Sequence, residues 1–293
     1  MTIEVLNNVN NKKHKTKWFL DKYNPFLFFV ENQDSYDWVP FNFPILFYKK
    51  RERYTKIIDL TKSSEEIFKG FSSTTRNEIH KIQKLSASIN YDENPIKVFN
   101  VTNNMFKQKG LNNLCDYSIN PQNKLLCTSI KFDSFFVCHS YLINEDKSTI
   151  VLFTSASEYR ELDGKKKNLN SQLNRYLHYM DMLYFKNLGF KFYDLGCVGF
   201  KDEYESKNRD ASLNGIIKFK ESFGGKLFSI WKYEKMHKMQ IIFLGVKISF
   251  NLDKVSNALF VERERERERE RESYLYLIIK FQKSKMLHNL CAI

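Results

Sequence analysis

The sequence predicts one main α/β domain of the α+β kind, a mixed and mostly antiparallel central sheet with helices on its flanks. Three observations predict it. Residues 165–233 read as helix, strand, helix, strand with glycine joints, residues 125–155 as three closely spaced strands, and residues 55–84 as a strand followed by two capped helices. Strands that bury one face against amphipathic helices make a layered α/β domain.

Taken in order, residues 1–15 are polar and Asn-rich and are expected to be frayed. Trp18–Val30 is expected to hold a short helix or loop, then a strand after Pro25. Phe41–Tyr48 is aromatic and extended, and Pro44 argues for an edge strand. Lys49, Lys50, Arg51 and Arg53 then read as an exposed turn ahead of a strand, with anion binding as the lesser reading. Residues 1–54 are therefore expected to form an extension packed on the core. Thr55–Leu60 is a strand. Thr61 or Ser63 caps a helix with Glu65 and Glu66 in its first turn, and Ser72 or Ser73 caps the next, with Ile79, Ile82 and Leu85 on one face. Arg76 sits in that helix's first turn, a cation set against the helix dipole. It is a candidate substrate contact through a bound anion, the lesser reading beside a carboxylate partner or a simply exposed side chain.

Ser88–Asp92 is a short strand, and Val101–Lys109 a helix ended by Gly110. Leu125–Phe132, Phe135–Ile143 and Thr149–Ser155 form an antiparallel meander with joints at Asp133–Ser134 and Asn144–Lys147. Phe135, Val137, His139 and Tyr141 alternate with Phe136, Cys138 and Ser140, so the middle strand is covered on both faces and central. His139 has a pKa suited to a base. It reads first as a hydrogen-bonded sheet residue and second as a substrate contact.

Leu169, Leu173, Leu177, Met180 and Tyr184 recur at steps of three and four, one face of a helix that Gly189 stops. Phe190–Leu195 is an aromatic-rich strand closed by Gly196. Asp210 caps a second helix carrying Leu213, Ile216, Ile217 and Phe223, with Gly224–Gly225 as its stop, and Leu227–Tyr233 is a last strand. Residues 55–235 are thus the main domain, and 236–260 a segment covering the sheet edge. The Arg–Glu alternation of Glu262–Glu272 puts opposite charges at i,i+3 and like charges at i,i+4, which nearly cancel on a helix. It reads as solvated low complexity of the kind an (AG)n repeat encodes. A frame slip there would make residues 261–293 a non-native tail.

The totals narrow the function. The 293 residues are 42% hydrophobic and 15% aromatic, enough for a core, and the mean hydropathy is negative. The notable apolar run, Ile241–Val246, is too short to span a bilayer, and the first residues lack the apolar stretch of a signal peptide. Cytoplasmic residence is the resulting expectation. The five cysteines show no CxxC and no histidine at ligand spacing, so free thiols are expected and a metal is not. Cys197 reads as a small residue in a glycine's place. The net charge of +13 fits an anionic partner, although lysine is spread along the whole chain as on a solvated surface.

The blocks RYLHYMDMLYFK, GFKFYDLG and GIIKFKESFGG, in that order, with IIDLTKSSEEIFKGFSSTTRNEIHKIQK (Ile57–Lys84) upstream, resemble the Fem-type, FemAB-like branch of the GNAT acyltransferase superfamily. The likeness covers residues 55–235. The branch includes aminoacyl-tRNA-dependent peptidoglycan-bridge transferases and acyl-CoA-dependent relatives. The chain departs from it in two places. Gly196–Cys197 stands where two glycines are frequent, and ELDGKKKN replaces the Gln/Arg-x-x-Gly-x-Gly/Ala phosphate loop.

The resemblance implies a GNAT-like sheet in which two central strands splay apart. Main-chain N–H groups in the gap hold the donor and polarise the carbonyl under attack. It makes Thr149–Ser155 the donor strand and Phe190–Leu195 the facing strand, with a phosphate-facing helix starting near Asn168. Ser155, Gly164, Lys165, Lys166, Lys167 and Asn168 are then the donor-binding candidates, with a lysine collar in place of a glycine nest. Asp194 is the candidate base or acceptor-orienting carboxylate and Tyr193 the candidate acid, since both end the central strand. Lys218 and Lys220 cannot share a helix face, so one of them is expected to bind a phosphate of donor or acceptor.

The leading expectation is an acyltransferase with acyl-CoA as co-substrate and no metal. Its acceptor would be an amine or hydroxyl on an amino-sugar, amino acid or cell-envelope precursor. The alternatives are an aminoacyl-tRNA-dependent transferase of the peptidoglycan-bridge type, with tRNA rather than DNA as partner, and an inactive basic relative that binds polyanions.

Overall fold

The computed structural model describes residues 3–9, 12–19, 34–40, 42, 48–110, 113–114, 125–145, 148–157 and 164–235. They fall within one compact unit, Met1–Lys235. The expected strand after Pro25, most of the expected strand at 41–48, the covering segment 236–260 and the Arg–Glu run lie outside the described residues.

The strands are β1 (Ile3–Val9), β2 (Lys12–Trp18), β3 (Ser35–Val39), β4 (Tyr48–Asp59), β5 (Ser88–Asn90), β6 (Asn113–Leu114), β7 (Leu125–Phe132), β8 (Phe135–Asn144), β9 (Thr149–Ser157), β10 (Phe192–Phe200) and β11 (Lys226–Lys235). They form one sheet in the order β5-β7-β8-β9-β10-β4-β11-β3-β2-β1-β6. All neighbours run antiparallel except β9–β10 and β2–β3. The helices are α1 (Ser64–Lys69), α2 (Ser73–Gln83), α3 (Pro95–Gln108), α4 (Gly164–Asn187), α5 (Lys201–Glu205) and α6 (Ala211–Glu221).

Helices cover both faces of the sheet. On one side Ile67 of α1, Ile79 of α2 and Phe185 of α4 pack with Ile58, Tyr141 and Tyr193 of the strands. On the other, Val98, Phe99 and Met105 of α3 pack with Cys127, Cys138 and Ala156. Adjacent β8 residues divide between the two sides, Val137 and Tyr141 facing α4 while Cys138 and Leu142 face away. Burying each such apolar side chain contributes about 1.5–3 kcal/mol. β8 is therefore the central strand that its alternation predicts.

The caps follow from short polar side chains. Ser63 accepts from Glu66 N and Glu66 reaches back to Ser63 N, a capping box on α1. Ser72 caps α2 and Asp210 caps α6. Asn94 caps α3 with Pro95 in its first turn, so that helix begins six residues before the Val101 that periodicity suggests.

Four expectations are corrected. The first residues pair as a β1–β2 hairpin rather than fray, because main-chain pairing is indifferent to how polar the side chains are. The basic cluster lies inside β4, not in a turn. Its cations are matched by distant acids: Arg53 pairs with Asp37 beside Trp18, and Arg51 with Asp202 and Glu203 over the Phe200 ring. Finally, β10 does not close at Gly196 but runs on to Phe200, and α4 starts at Gly164 rather than near Asn168.

Candidate active site

β9 and β10 pair in parallel only over Thr149–Val151 and Phe192–Asp194. Beyond that the strands part, and two local features drive them apart. On β9 the pairing with β8 skips a residue, Tyr141 facing Leu152 and Ser140 facing Thr154, so Phe153 is bulged. On β10 Gly196 takes φ +77°, which favours glycine, and a Cβ there would come within 2.9 Å of the Leu152 carbonyl oxygen. The β10–β4 register also shifts between Asp194 and Cys197.

The gap opens into a cavity of about 800 Å³ between β9, α4, α6 and the end of α3. Ser155 and Thr154 line it from β9, Gly196 and Cys197 from β10, Lys220 and Phe219 from α6. α4 contributes a polar stripe, Lys167, Asn170, Asn174 and His178. Those positions fall on one side of a helix, while Leu173 and Leu177 turn into the core.

Lys220 is half-buried, and its ammonium donates to the Cys197 carbonyl at 2.8 Å. Burial pushes its pKa down to about 8, outweighing the opposing pull of Cys197 and Asp194. A lysine in that range can give and retake a proton near neutral pH.

Beneath the α4 stripe lies a buried hydrogen-bonded network. Asp181 Oδ2 accepts from Thr128 Oγ1 at 3.0 Å, His139 Nδ1 at 2.8 Å and Tyr141 OH at 2.5 Å. Tyr141 OH lies 2.7 Å from Tyr193 OH, which lies 2.7 Å from His178 Nδ1. The His139 and His178 rings stack at 4.1 Å. Burial, then the neighbouring His139, holds His178 well below the ordinary histidine range, so it is neutral. Burial raises both tyrosines well above theirs.

The structure brings some expected site residues together and separates others. Ser155, Lys167 and Lys220 line the cavity. Gly164, Lys165, Lys166 and Asn168 are exposed in the first turn of α4 and do not line it, since the helix starts a turn earlier than expected. Lys218 is exposed and off the wall. Arg76 does not face the cavity either: its guanidinium donates to the carbonyls of Lys69 and Phe71, which resolves the apparent conflict with the helix dipole.

His139 and Tyr193 are fully buried in the network, behind the wall rather than on it. Asp194 is fully buried as well, and all its hydrogen bonds are architectural. It accepts from Thr55 Oγ1, from Trp38 Nε1 at 2.7 Å and from Gly196 N at 2.7 Å. Burial raises its pKa against those donors. As placed, neither Tyr193 nor Asp194 lines the cavity; on β10 the lining begins at Gly196.

Sequence reasoning missed Asn170, Asn174 and Asp181. Their signal was available, polar residues at steps of four and seven along the helix already marked by its apolar face. Of the cysteines, Cys127, Cys138 and Cys197 are free thiols, and no group of three or more potential metal ligands occurs among the described residues. Nor is any described helix long and apolar enough to cross a membrane.

No protein-family profile matches the chain, and no curated protein matches it. Solved structures do. The chain is similar to the crystal structure of FemX, with a TM-score of 0.53 and 11% identity over 82% of this chain and 85% of that one. A further match is the C-terminal DUF2156 domain of a putative lysylphosphatidylglycerol synthetase from Agrobacterium fabrum, with a TM-score of 0.49 and 10% identity over 84% of this chain and 85% of that one. The protein thus has a FemX-like fold, a large, mostly antiparallel open sheet flanked by helices.

Proposed function

We propose that the protein is an aminoacyltransferase. It would move an aminoacyl group from an ester-activated donor, an aminoacyl-tRNA, to an amine or hydroxyl of a small or cell-envelope acceptor. The observation that carries this reading is the opening between β9 and β10, with Lys220 on its wall, inside a fold shared with FemX.

The opening suits attack on an activated carbonyl. The acceptor amine adds to the ester carbon, a C–N bond forms and the bond between that acyl carbon and the ribose oxygen breaks. One proton must leave the nitrogen and one must reach the departing oxygen. Lys220 can serve both needs, giving its proton to the oxygen and taking one back from the nitrogen. Its lowered pKa matches the task.

The choice of donor rests on what faces the phosphates. A pyrophosphate close to the backbone favours a glycine nest, and this chain has lysines at the start of α4 instead. Exposed lysines and a +13 charge suit a polyphosphate backbone better than the compact head of acyl-CoA. The acyl-CoA expectation is therefore the less supported of the two.

The test supplies purified full-length protein with a mixed pool of aminoacyl-tRNAs, and separately with acetyl-CoA, using hydroxylamine as a surrogate amine. Hydroxamate formed above the uncatalysed rate is measured. Turnover with the tRNA pool that falls steeply with salt supports the proposal. Turnover with acetyl-CoA alone overturns the donor assignment. No turnover with either, alongside indiscriminate polyanion binding, points to an inactive relative.

A further inference from the structure

We propose that Asn174 is the side-chain oxyanion donor of this site, its amide N–H groups turned into the cavity and held there by the Asp181–His139 pair. This rests on the transfer reading above. Asn174 is half-buried and lines the cavity beside Ser155. Its Oδ1 is engaged twice, with His139 Nε2 at 2.7 Å and the Ser155 hydroxyl at 3.3 Å. Its Nδ2 makes no hydrogen bond with a described residue. An amide whose oxygen is taken on one side offers its two N–H donors on the other.

What fixes the amide is the buried acid. Asp181 Oδ2 holds His139 Nδ1 at 2.8 Å, together with Thr128 and Tyr141. That contact orients the ring so that Nε2 meets Asn174 Oδ1 at 2.7 Å, a contact in which Nε2 carries a proton and the amide oxygen accepts it. Asp181 and His139 are both fully buried. If Nε2 were bare, the amide would turn over, its NH₂ going to the ring and its oxygen to the cavity. The Asp181–His139 pair therefore sets which end of Asn174 a substrate meets. The other titratable groups around His139 are His178 of α4, stacked on it, Tyr141 of its own strand, and Tyr193 of β10 through Tyr141.

In the reaction the carbonyl oxygen gains negative charge as the C–N bond forms and loses it as the C–O bond breaks. Asn174 donates a hydrogen bond to that oxygen and transfers no proton. Such a donor acts on the transition state more than on the bound ester. Asn174 is in this sense a catalytic residue, while His139 and Asp181 position it.

The decisive variant is Asn174→Asp. It keeps an oxygen for His139 and Ser155, so the fold is retained, and it replaces the N–H donors with a second acceptor. Hydroxamate turnover from the donor that wild type uses is expected to fall about 100- to 1,000-fold, with KM little changed. Asn174→Ala should fall as far. His139→Leu should lower kcat, and His139→Gln, which restores an N–H toward Asn174, should recover part of it.

Unchanged kcat in Asn174→Asp, or a loss confined to KM, overturns the role while leaving the transfer reading intact. A wild-type protein inert toward both donors overturns the transfer reading and this role with it. Independently of activity, ¹⁵N resonances of His139 should show Nε2 protonated. A bare Nε2 overturns the proposal.

Discussion

Two aspartates, Asp194 on β10 and Asp181 on α4, are fully buried, and they are used differently. Asp194 on β10 is saturated: both oxygens accept, and the donors come from Trp38 on β3, Thr55 on β4 and the turn at Gly196. It clamps three strands where the sheet is about to split. Asp181 on α4 is lopsided. Three polar groups crowd Oδ2 while Oδ1 has no hydrogen-bond partner among the described residues. Its bonds lead through His139 to Asn174 and the cavity. A carboxylate at a strand's end, which looks like a base in the sequence, is thus part of the frame. The acid with an open valence, hidden in a helix, is the one coupled to the opening.

The largest difference between them should appear on truncation. Asp194→Ala leaves an indole N–H, a hydroxyl and a backbone N–H buried without an acceptor. It should lower the unfolding free energy by about 3 kcal/mol or more, read as a shift of the urea midpoint at constant m. A shift under about 1 kcal/mol, the size of an ordinary surface change, would break the clamp interpretation.

Amide substitutions should separate the two acids more finely. In Asp194→Asn the new NH₂ must face a donor whichever way it turns, so a loss of about 1–3 kcal/mol is expected. In Asp181→Asn the NH₂ can take the Oδ1 position, where no donor is displaced. Its stability cost should stay below about 1 kcal/mol. Its turnover should nonetheless drop by about 10-fold or more, because His139 loses the carboxylate that orients its ring toward Asn174. Equal stability losses for the two variants would erase the distinction.

How much of this was legible follows from what periodicity can see. The apolar face of α4, the β7–β9 meander and the cap at Asp210 are all set by near neighbours in the chain, and each was readable, while the α1 cap was narrowed to Thr61 or Ser63. The order of the strands around the split came with the resemblance, and the FemX-like fold agrees with it. What escaped depends on contacts across the fold. Asn174 and Asp181 sit on the helix's polar side, where a pattern search for apolar residues looks past them. Arg76 reads as an anion ligand until the Lys69 and Phe71 carbonyls are seen beneath it. Arg53 reads as exposed until Asp37 arrives from another strand. The β1–β2 pairing is carried by the backbone, about which these side chains say nothing.

The last and smallest contrast is in pH. Burial raises the Asp194 pKa in the folded state, so the native protein holds that proton more tightly than the unfolded chain. The associated stability is present at acid pH and lost as pH rises from the ordinary carboxylate range through the raised value. Lys220 goes the other way. Its folded pKa, about 8, lies below the unfolded one, so its contribution is present above about 10.5 and lost as pH falls through 8. Stability of wild type relative to Asp194→Asn should therefore grow as pH is lowered from 7 toward 4, with a slope no steeper than about 1.4 kcal/mol per pH unit. Asp181→Asn should show no such gain tied to Asp194, since Asp194 is intact in both it and wild type. Paired urea titrations of wild type and the two variants across that range test this directly. A wild-type advantage over Asp194→Asn that shrinks on acidification would mean the donors around Asp194 outweigh its burial, and the clamp would then be held by charge rather than in spite of it.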